Sequence, residues 1–495
     1  VTVEYTTADA LTLDGAIGAA GQDYTFASGL LEFVPGDLSH TFTVDINPDV
    51  IDELDEIFYV NLFNEVGAAV ADAQAVVTIQ DDDEAFVSIA NATIVEGQIG
   101  TFTVTLDLTL SLAVERSVTY DYASSDSGVF PATDGVDYTG ISGTISFATY
   151  ETARTLSVLI AGDILDEYDE TFVVDLSNAV NASIADGQSV VTIVDNDFTQ
   201  LSIGDGAVVE TDGATVPFTM TISLDIPSVR IVTVDYTTVD GTAVAGDDYV
   251  SETGSVTFAP GVTSQVITLE AVGDDVDETL EAFTVVLSGE QNATIADGTG
   301  SVSVTDDDST ELFVADVTVS EGVGGSADLV NVTLVGTSDR DITVSYTTVD
   351  GSAVDGNDFT AASGTITWTA GETGWKVVSV AVVDDDVDEV NESFSVAISG
   401  ATSGTSIGKA TGTIRIVDDD VTSIVANGGS FGEADGTVAA INVTLVGKSD
   451  RTVSVSYSLV DGTATQPSDY GTVAGTIVWL PGETGWKTVD VTLVD

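Results

Sequence analysis

The sequence lacks cysteine altogether and contains a single histidine among its 495 residues. Without cysteine, the chain can form neither disulfide bonds nor zinc–thiolate sites. Small extracellular animal domains usually carry disulfides, so their absence favours a bacterial or archaeal surface protein. The sequence also has no apolar run of about 18 residues, and it therefore predicts no transmembrane helix in this stretch of chain.

Basic residues are scarce as well. Ten Lys and Arg residues stand against 82 Asp and Glu residues, which gives a formal net charge of −72. This charge excludes nucleic acid and anionic membranes as partners. Life in a salty habitat and the binding of cations both explain such an excess of acid. Hydrophobic residues still make up 43% of the chain, so we expect packed cores and no acidic disordered tail.

An aspartate-rich triplet recurs at intervals of 114, 111 and 112 residues, which is the size of one domain. Adjacent carboxylates repel one another unless a cation lies between them, so the triplets indicate the binding of a hard cation. The copies are Asp81-Asp82-Asp83, Asp195-Asn196-Asp197, Asp306-Asp307-Asp308 and Asp418-Asp419-Asp420. They divide the chain into five repeats, at 1–84, 85–198, 199–309, 310–421 and 422–495.

Each repeat alternates apolar and polar residues in short runs separated by Gly, Asp and Asn, and this pattern predicts a sandwich of about seven strands. The predicted fold is all-β, a tandem array of immunoglobulin-like β-sandwiches. We expect the first repeat to lack its first two strands and the last repeat to lack its last two, as in a segment of a longer array. The alternative is that neighbouring copies of the chain complete these ends by strand addition.

Four motifs recur in a fixed order. They are Val319-Ser320-Glu321-Gly322 and its relatives, Asp240-Gly241-Thr242-Ala243 and its relatives, an acidic loop before Glu-x-Phe, and the closing triplet. Together they resemble the Calx-beta domains of exchanger regulatory loops and large microbial surface proteins, over the whole chain. The resemblance implies seven-stranded immunoglobulin-like sandwiches that bind several Ca²⁺ ions in loops at one end, near the junctions between domains.

Matching each motif to the family implies a set of calcium ligands in every repeat except the last. For repeat four they are Glu321, Asp350, Asp384, Asp385, Asp386, Glu389, Glu392, Asp418, Asp419 and Asp420. For repeat three they are Glu210, Asp240, Asp274, Asp275, Glu278, Glu281, Asp306, Asp307 and Asp308. For repeat two they are Glu96, Asp126, Asp163, Glu167, Glu170, Asp195 and Asp197. For repeat one they are Asp49, Glu53, Glu56, Asp81, Asp82 and Asp83, with either Asp9 or Asp14 in addition.

The repeats depart from the family pattern to different degrees. Repeat four is the most complete, and repeat three differs by Gly273 in its acidic loop. Repeat two has Gly162, Ile164 and Asn196 where acids are expected, and we expect its Asp166 and Asp169 only to be solvated. Pro48 and Val50 interrupt the loop of repeat one. Repeat five retains only Glu433, Asp461 and Asp495, so it is expected to bind metal weakly or not at all.

These features favour a non-enzymatic calcium-binding region that forms a calcium-stiffened extracellular or cell-surface stalk, adhesin or matrix fibre. Its expected partners are calcium, the neighbouring repeats and other copies of the chain, while a glycan or surface ligand is not identified. The alternative is a calcium-sensing regulatory module of a larger membrane or signalling protein. An enzyme is not expected, because the same carboxylates recur in every repeat and no nucleophile motif accompanies them.

Overall fold

The computed structural model describes residues 1–10, 22–323, 325–402, 404–434 and 436–495. Within these residues the chain forms 43 β-strands and one short 3-10 helix, Glu321–Val323. The all-β prediction is confirmed. No helix in the described part of the chain has the length and apolarity needed to cross a membrane.

The first two repeats contain fifteen strands. Repeat one has β1 (Thr2–Asp9), β2 (Ser28–Glu32), β3 (Ile51–Asp52), β4 (Glu56–Val66) and β5 (Gln74–Ile79). Repeat two has β6 (Phe86–Ile89), β7 (Ala92–Val95), β8 (Gly100–Leu110), β9 (Ala113–Val114), β10 (Val118–Asp126), β11 (Ser142–Phe147), β12 (Ala153–Gly162), β13 (Glu170–Val180), β14 (Ser183–Asp186) and β15 (Gln188–Val194).

The remaining repeats follow the same order. Repeat three has β16 (Gln200–Ile203), β17 (Gly206–Val209), β18 (Thr215–Leu224), β19 (Val232–Val239), β20 (Thr253–Phe258), β21 (Ser264–Val272), β22 (Val276–Asp277), β23 (Glu281–Gln291), β24 (Thr294–Asp297) and β25 (Thr299–Thr305). Repeat four has β26 (Glu311–Val314), β27 (Val317–Ser320), β28 (Gly325–Val335), β29 (Thr337–Ser338), β30 (Ile342–Val349), β31 (Phe359–Thr360), β32 (Ser363–Trp368), β33 (Gly374–Val382), β34 (Val387–Asp388), β35 (Glu392–Ser399), β36 (Ser406–Lys409) and β37 (Thr411–Val417). Repeat five has β38 (Ser423–Asn427), β39 (Val438–Val446), β40 (Lys448–Ser449), β41 (Val453–Ser458), β42 (Ala474–Trp479) and β43 (Gly485–Thr492).

Repeats two to four each contain two sheets that share a split first strand. In repeat three the sheets run β21-β18-β16-β24 and β20-β19-β23-β25-β17. The segment β16 pairs antiparallel with β18, and the chain then crosses over so that β17 pairs parallel with β25. In its described residues repeat one forms the sheet β2-β1-β4-β5, and repeat five forms the sheets β38-β39-β43 and β41-β42.

In repeats two, three and four the core lies between the two sheets, because side chains alternate between the faces of a strand. In β12, Leu156, Val158 and Ile160 are buried while Thr155 and Ser157 are exposed. Repeats two, three and four each bury a separate apolar cluster of this kind. The array therefore consists of independent cores, and whatever holds it together must act at the joints.

Candidate metal centres

Three carboxylates from distant parts of the sequence meet in each of the first four repeats. One comes from an Asp that precedes a tyrosine or phenylalanine, one from the acidic loop, and one from the strand that follows this loop. One oxygen of each lies within 4.8 Å of the other two. The groups are Asp23, Glu53 and Glu56; Asp137, Glu167 and Glu170; Asp248, Glu278 and Glu281; and Asp358, Glu389 and Glu392.

A stacked pair of aromatic rings lies directly behind each group. In repeat three the rings of Tyr249 and Phe283 are 3.9 Å apart and nearly parallel, at 6°. Asp248 precedes the first ring, and Glu281 lies two residues before the second. The equivalent pairs are Tyr24–Phe58, Tyr138–Phe172 and Phe359–Phe394, with centroids 4.3, 4.0 and 4.0 Å apart. Because both rings are buried, the stack fixes the separation of the segments that carry the carboxylates.

The glutamate of the first strand and the closing triplet lie beside the same groups. In repeat four a cavity of about 10 Å³ is lined by Glu321, Asp358, Glu389, Glu392 and Asp418, together with two apolar side chains. In repeat one a wider cavity of about 130 Å³ brings the triplet Asp81–Asp83 together with Asp23, Asp49, Glu53 and Glu56. In both repeats, acids that are far apart in sequence thus share one small space.

Backbone hydrogen bonds hold the acidic loop against the triplet. In repeat three the amide of Val276 donates to Asp274 at 2.8 Å, and the amide of Glu278 donates to Asp306 at 2.9 Å. The same capping bonds recur at Asp49, Asp163 and Asp385. Two further predicted ligands lie outside the four carboxylate groups. Asp307 lies close to Asp308 and Asp212. Asp384 is exposed on its loop.

The aspartates of the Asp-Gly motif differ from the other predicted ligands in their hydrogen bonds. The carboxylate of Asp240 accepts hydrogen bonds from the Tyr249 hydroxyl at 2.6 Å and the Ala245 amide at 3.0 Å. Asp126 accepts the equivalent pair of bonds, and Asp350 accepts the Asp355 amide at 3.1 Å. None of the three belongs to a metal-capable group among the described residues. These carboxylates are engaged in shaping the turn, so we leave them out of the proposed ligand set.

The same contact identifies the equivalent residue in repeat one. Asp9 accepts the hydroxyl of Tyr24 at 2.8 Å, whereas Asp14 lies outside the described residues. In repeat five the equivalent Asp461 accepts the hydroxyl of Tyr470 at 2.7 Å, and Glu433 and Asp495 are exposed.

Sequence reasoning missed the aspartate that precedes each aromatic residue. Asp23, Asp137, Asp248 and Asp358 belong to the four groups of carboxylates. The available signal was an Asp-Tyr or Asp-Phe pair at the equivalent position of every repeat.

The glutamates of these groups are partly or wholly withdrawn from water, and this shapes their chemistry. Burial, followed by the charges of Asp306, Asp274 and Asp248, raises the pKa of Glu210 to about 7. Burial, together with the charges of the carboxylates next to each residue, also raises the pKa of Glu278, Glu96 and Glu321 to about 7. A cation would relieve both the desolvation and the repulsion. Because the donors are all oxygens of irregular arrangement, the site fits Ca²⁺, which takes six to eight oxygen ligands.

A salt bridge across each joint is a second feature that sequence reasoning missed. Asp277, in the acidic loop of repeat three, pairs with Arg340 of repeat four at 2.5 Å and accepts the Thr310 hydroxyl at 2.7 Å. The equivalent pairs are Arg116 with Asp52, Arg230 with Asp166 and Arg451 with Asp388. Asp166 was expected only to be solvated. In the structure it is 1% exposed, so that expectation is corrected.

Short parallel bridges accompany the salt bridges at three of the four joints. They pair β3 with β9, β22 with β29, and β34 with β40. Between repeats two and three, a single bridge joins Asp166 and Ser228. The acidic loop therefore contacts its own carboxylate group on one side and the next repeat on the other.

The family model for the Calx-beta domain matches residues 1–83, 80–197, 199–308, 303–420 and 418–495. Adhesion G-protein coupled receptor V1 of Danio rerio is 25% identical over 457 residues, which cover 78% of this chain and 7% of the receptor. Sodium/calcium exchanger 1 of Canis lupus familiaris is 33% identical over 187 residues, which cover 33% of this chain and 19% of the exchanger.

Extracellular matrix protein 3 of Lytechinus variegatus is 27% identical over 418 residues, which cover 78% of this chain and 13% of that protein. Among solved structures, CBD12 from CALX1.2 is 22% identical and matches 44% of this chain and 99% of its own, with a TM-score of 0.22. The chain thus spans only a small part of the length of these curated relatives.

Proposed function

The chain belongs to the Calx-beta domain family, and we propose that it forms a non-enzymatic array in which calcium stiffens an extracellular stalk, adhesin or matrix fibre. Calx-beta domains are calcium-binding modules, and the carboxylate groups of the first four repeats are suited to that ion. The match to Calx-beta domains, which are non-enzymatic modules, supports a binding role. We place the repeats at the boundaries expected from the triplets.

The proposed ligands are those that the structure brings together. In repeat three they are Asp248, Glu278 and Glu281, with Glu210, Asp274 and the triplet Asp306–Asp308 around them. Repeat four supplies the equivalent residues, and repeat one supplies all of them except a counterpart of Glu210. Repeat two supplies the group Asp137, Glu167 and Glu170, with Glu96 and Asp163 beside it. Bound calcium would supply the positive charge that these carboxylates lack, while the chain orients them through the aromatic stack and the capped loop.

The observation that carries the stiffening proposal is the position of Asp277 next to Glu278. Glu278 belongs to the carboxylate group of repeat three, whereas Asp277 contacts Arg340 and Thr310 of repeat four. Because these two residues are adjacent, an ion that binds Glu278 and orders the acidic loop also fixes the position of Asp277, which contacts the next repeat. Loss of the ion should therefore loosen both the loop and the joint.

The test measures thermal unfolding and particle length in solution, with calcium and after chelation. A ligand that binds only the folded state at a hundredfold excess over its Kd adds about 2.7 kcal/mol per site. We expect the melting temperature to fall and the scattering profile to report a more flexible particle after chelation. Unchanged melting and unchanged length would contradict the proposal.

A pair of variants localises the effect to repeat three. The double substitution Glu278→Gln and Glu281→Gln keeps the side-chain shape but removes two charges from the group. The matched control is Glu270→Gln, an exposed residue of β21 outside the group. Calcium binding should decrease in the double variant and stay unchanged in the control.

The alternative proposal is a calcium-sensing module, and the 33% identity to part of the exchanger supports it. The two functions need different affinities. Sensors bind calcium with Kd values of about 10⁻⁷ to 10⁻⁵ M, whereas extracellular modules work at about 10⁻⁴ to 10⁻³ M. A calcium titration therefore separates them. Growth of a fibre by strand addition between chains remains a prediction.

A further inference from the structure

The joint between repeats two and three differs from the others in how its charges are balanced. Arg230 of repeat three pairs with Asp166 at 3.0 Å, and a second guanidinium nitrogen lies 3.8 Å from Asp195 of the triplet. The same nitrogen donates to the backbone carbonyl of Glu167. The ion pairs found for Arg116, Arg340 and Arg451 in the described part of the chain include no triplet residue.

Aromatic side chains that are specific to repeat two hold this arginine in place. The guanidinium carbon lies 4.8 Å from the centre of the Tyr168 ring, on which Phe130 stacks at 4.1 Å and 9°. Phe130 belongs to a longer loop between Asp126 and Asp137, and the positions equivalent to Tyr168 are Leu54, Thr279 and Val390 in the other repeats. A cation over an aromatic face is attracted by the electrons of the ring, so the guanidinium is both paired and stacked.

The triplet of repeat two also accepts hydrogen bonds from neutral groups of its own repeat. The amide of Gln98 donates to Asp197 at 2.8 Å, and the backbone amide of Gly97 donates to Asn196 at 2.7 Å. The second oxygen of Asp197 has no hydrogen-bond partner, so this carboxylate is satisfied on one side only.

Repeat three has the opposite arrangement at the same place. Where repeat two has Gln98 and Asn196, repeat three has Asp212 and Asp307. Asp212, Asp307 and Asp308 bring their oxygens within 4.8 Å of one another. The triplet of repeat three and Asp212 thus make four carboxylates, and no base forms an ion pair with them among the described residues. At the same place repeat two has two carboxylates, two neutral amides and a guanidinium.

We infer that the guanidinium of Arg230, with Gln98 and Asn196, takes the place of an ion at the triplet of repeat two, so that the joint between repeats two and three stays rigid without calcium. The joint between repeats three and four depends on the ion instead. This inference rests on the proposed calcium function for the second joint but not for the first.

The test uses the full chain, into which spin labels can be introduced at single cysteines because the protein has none of its own. Ser146, Thr257 and Thr367 are exposed and occupy equivalent positions in β11, β20 and β32. A label pair at Ser146 and Thr257 reports on the first joint, and a pair at Thr257 and Thr367 reports on the second. After chelation, the distance distribution should stay narrow for the first pair and broaden for the second.

Two variants test the two parts of the inference, and the first does so independently of the calcium function. Arg230→Gln should broaden the first distribution in calcium and in chelator, and the matched Arg154→Gln, at a base outside the joint, should not. Gln98→Asp with Asn196→Asp should add one bound calcium per chain in equilibrium dialysis, relative to the unmodified chain.

The results separate the two claims. An unmodified chain that binds no calcium refutes the proposed function, while the Arg230→Gln result still decides whether side chains lock the first joint. Equal broadening of both joints on chelation, or a narrow first distribution in Arg230→Gln, would overturn the inference.

Discussion

The salt bridge at each joint leads to a ranked prediction for the removal of its arginine. Arg340→Gln leaves the carboxylate of Asp277, which is 5% exposed, with the Thr310 hydroxyl as its remaining side-chain donor. Breaking a fully buried pair costs about 3–5 kcal/mol. Because a quarter of the Arg340 side chain is in contact with water, we expect a smaller cost of about 2 kcal/mol for opening this joint.

The joint between repeats four and five provides the comparison. Its Arg451 side chain is 47% exposed and Asp388 is 15% exposed. Such a pair behaves more like a surface salt bridge, which contributes up to about 1 kcal/mol. Arg451→Gln should therefore perturb its joint less than Arg340→Gln perturbs the preceding one, and the order should not depend on the net charge, which both variants change equally.

Amide hydrogen exchange measures the opening of each joint separately. The amides of Asp339 and Gly371 donate to carbonyls across or beside the joint between repeats three and four, and those of Asp450 and Gly482 are their equivalents. A loss of about 2 kcal/mol should speed exchange about 25-fold at the first joint, against about fivefold or less at the other.

Two further variants show whether the effect comes from the unpaired charge. Asp277→Asn added to Arg340→Gln should restore part of the protection, since it removes the buried charge that the first change left unpaired. Lys376→Gln, which breaks an exposed pair within a turn, should leave the joint unchanged. If Arg451→Gln accelerated exchange as much as Arg340→Gln, or if Asp277→Asn made the loss larger, the reasoning from burial would be refuted.

Three other predictions concern the carboxylate group of repeat three. The pKa of Glu210 is raised by burial to about 7, so the chelated native state binds more protons than the unfolded state between about pH 4.5 and 7. The stability of the chelated protein should therefore decrease as the pH rises through this range, by on the order of 3 kcal/mol for Glu210. Denaturant titrations measure this decrease, and saturating calcium should make it smaller. A rise in stability with pH would contradict the prediction. Tyr249→Phe removes one hydrogen bond and should cost about 1 kcal/mol, whereas Tyr249→Ala removes the stack and should cost about 3–5 kcal/mol, which thermal unfolding can distinguish. Asp248→Asn should weaken calcium binding on the order of tenfold or more, while Asp240→Asn should change it little. Equal effects of the two substitutions in a calcium titration would contradict the assignment of Asp240 to the turn.

Regular features of the sequence predicted the fold well. Strand alternation and the spaced triplets are local patterns, and they indicated an array of all-β sandwiches. The role of Asp248 was harder to predict. Its neighbour Tyr249 is a core residue, so the pair indicates packing first, although an acid next to a buried ring lies at the edge of the core. Asp240 was predicted as a ligand because its motif matches the family. In the structure its carboxylate accepts a hydrogen bond from the Tyr249 hydroxyl.

The joints could not be predicted from local patterns at all. Arg340 and Asp277 are 63 residues apart, and nothing near either residue indicates the pairing. A signal was nevertheless present in the composition. Only ten bases occur in the chain, and four of them recur at the same place in successive repeats. In a chain with so few positive charges, a base that recurs with the repeat indicates a fixed acidic partner.

The four joints therefore differ in what holds them together, and the difference follows the burial of the arginine and the charge around the triplet. Arg230 has the least exposed side chain of the four, at 23%, and Arg451 has the most exposed, at 47%. Arg230 contacts the triplet of repeat two and an aromatic ring, while Arg451 pairs with Asp388 and Asp450. Since a weaker side-chain contact leaves more of the loop's order to the ion, dependence on calcium should be least between repeats two and three and greatest between repeats four and five. Gradual removal of calcium would then loosen the array first at the joint before repeat five, and last at the joint that Arg230 holds.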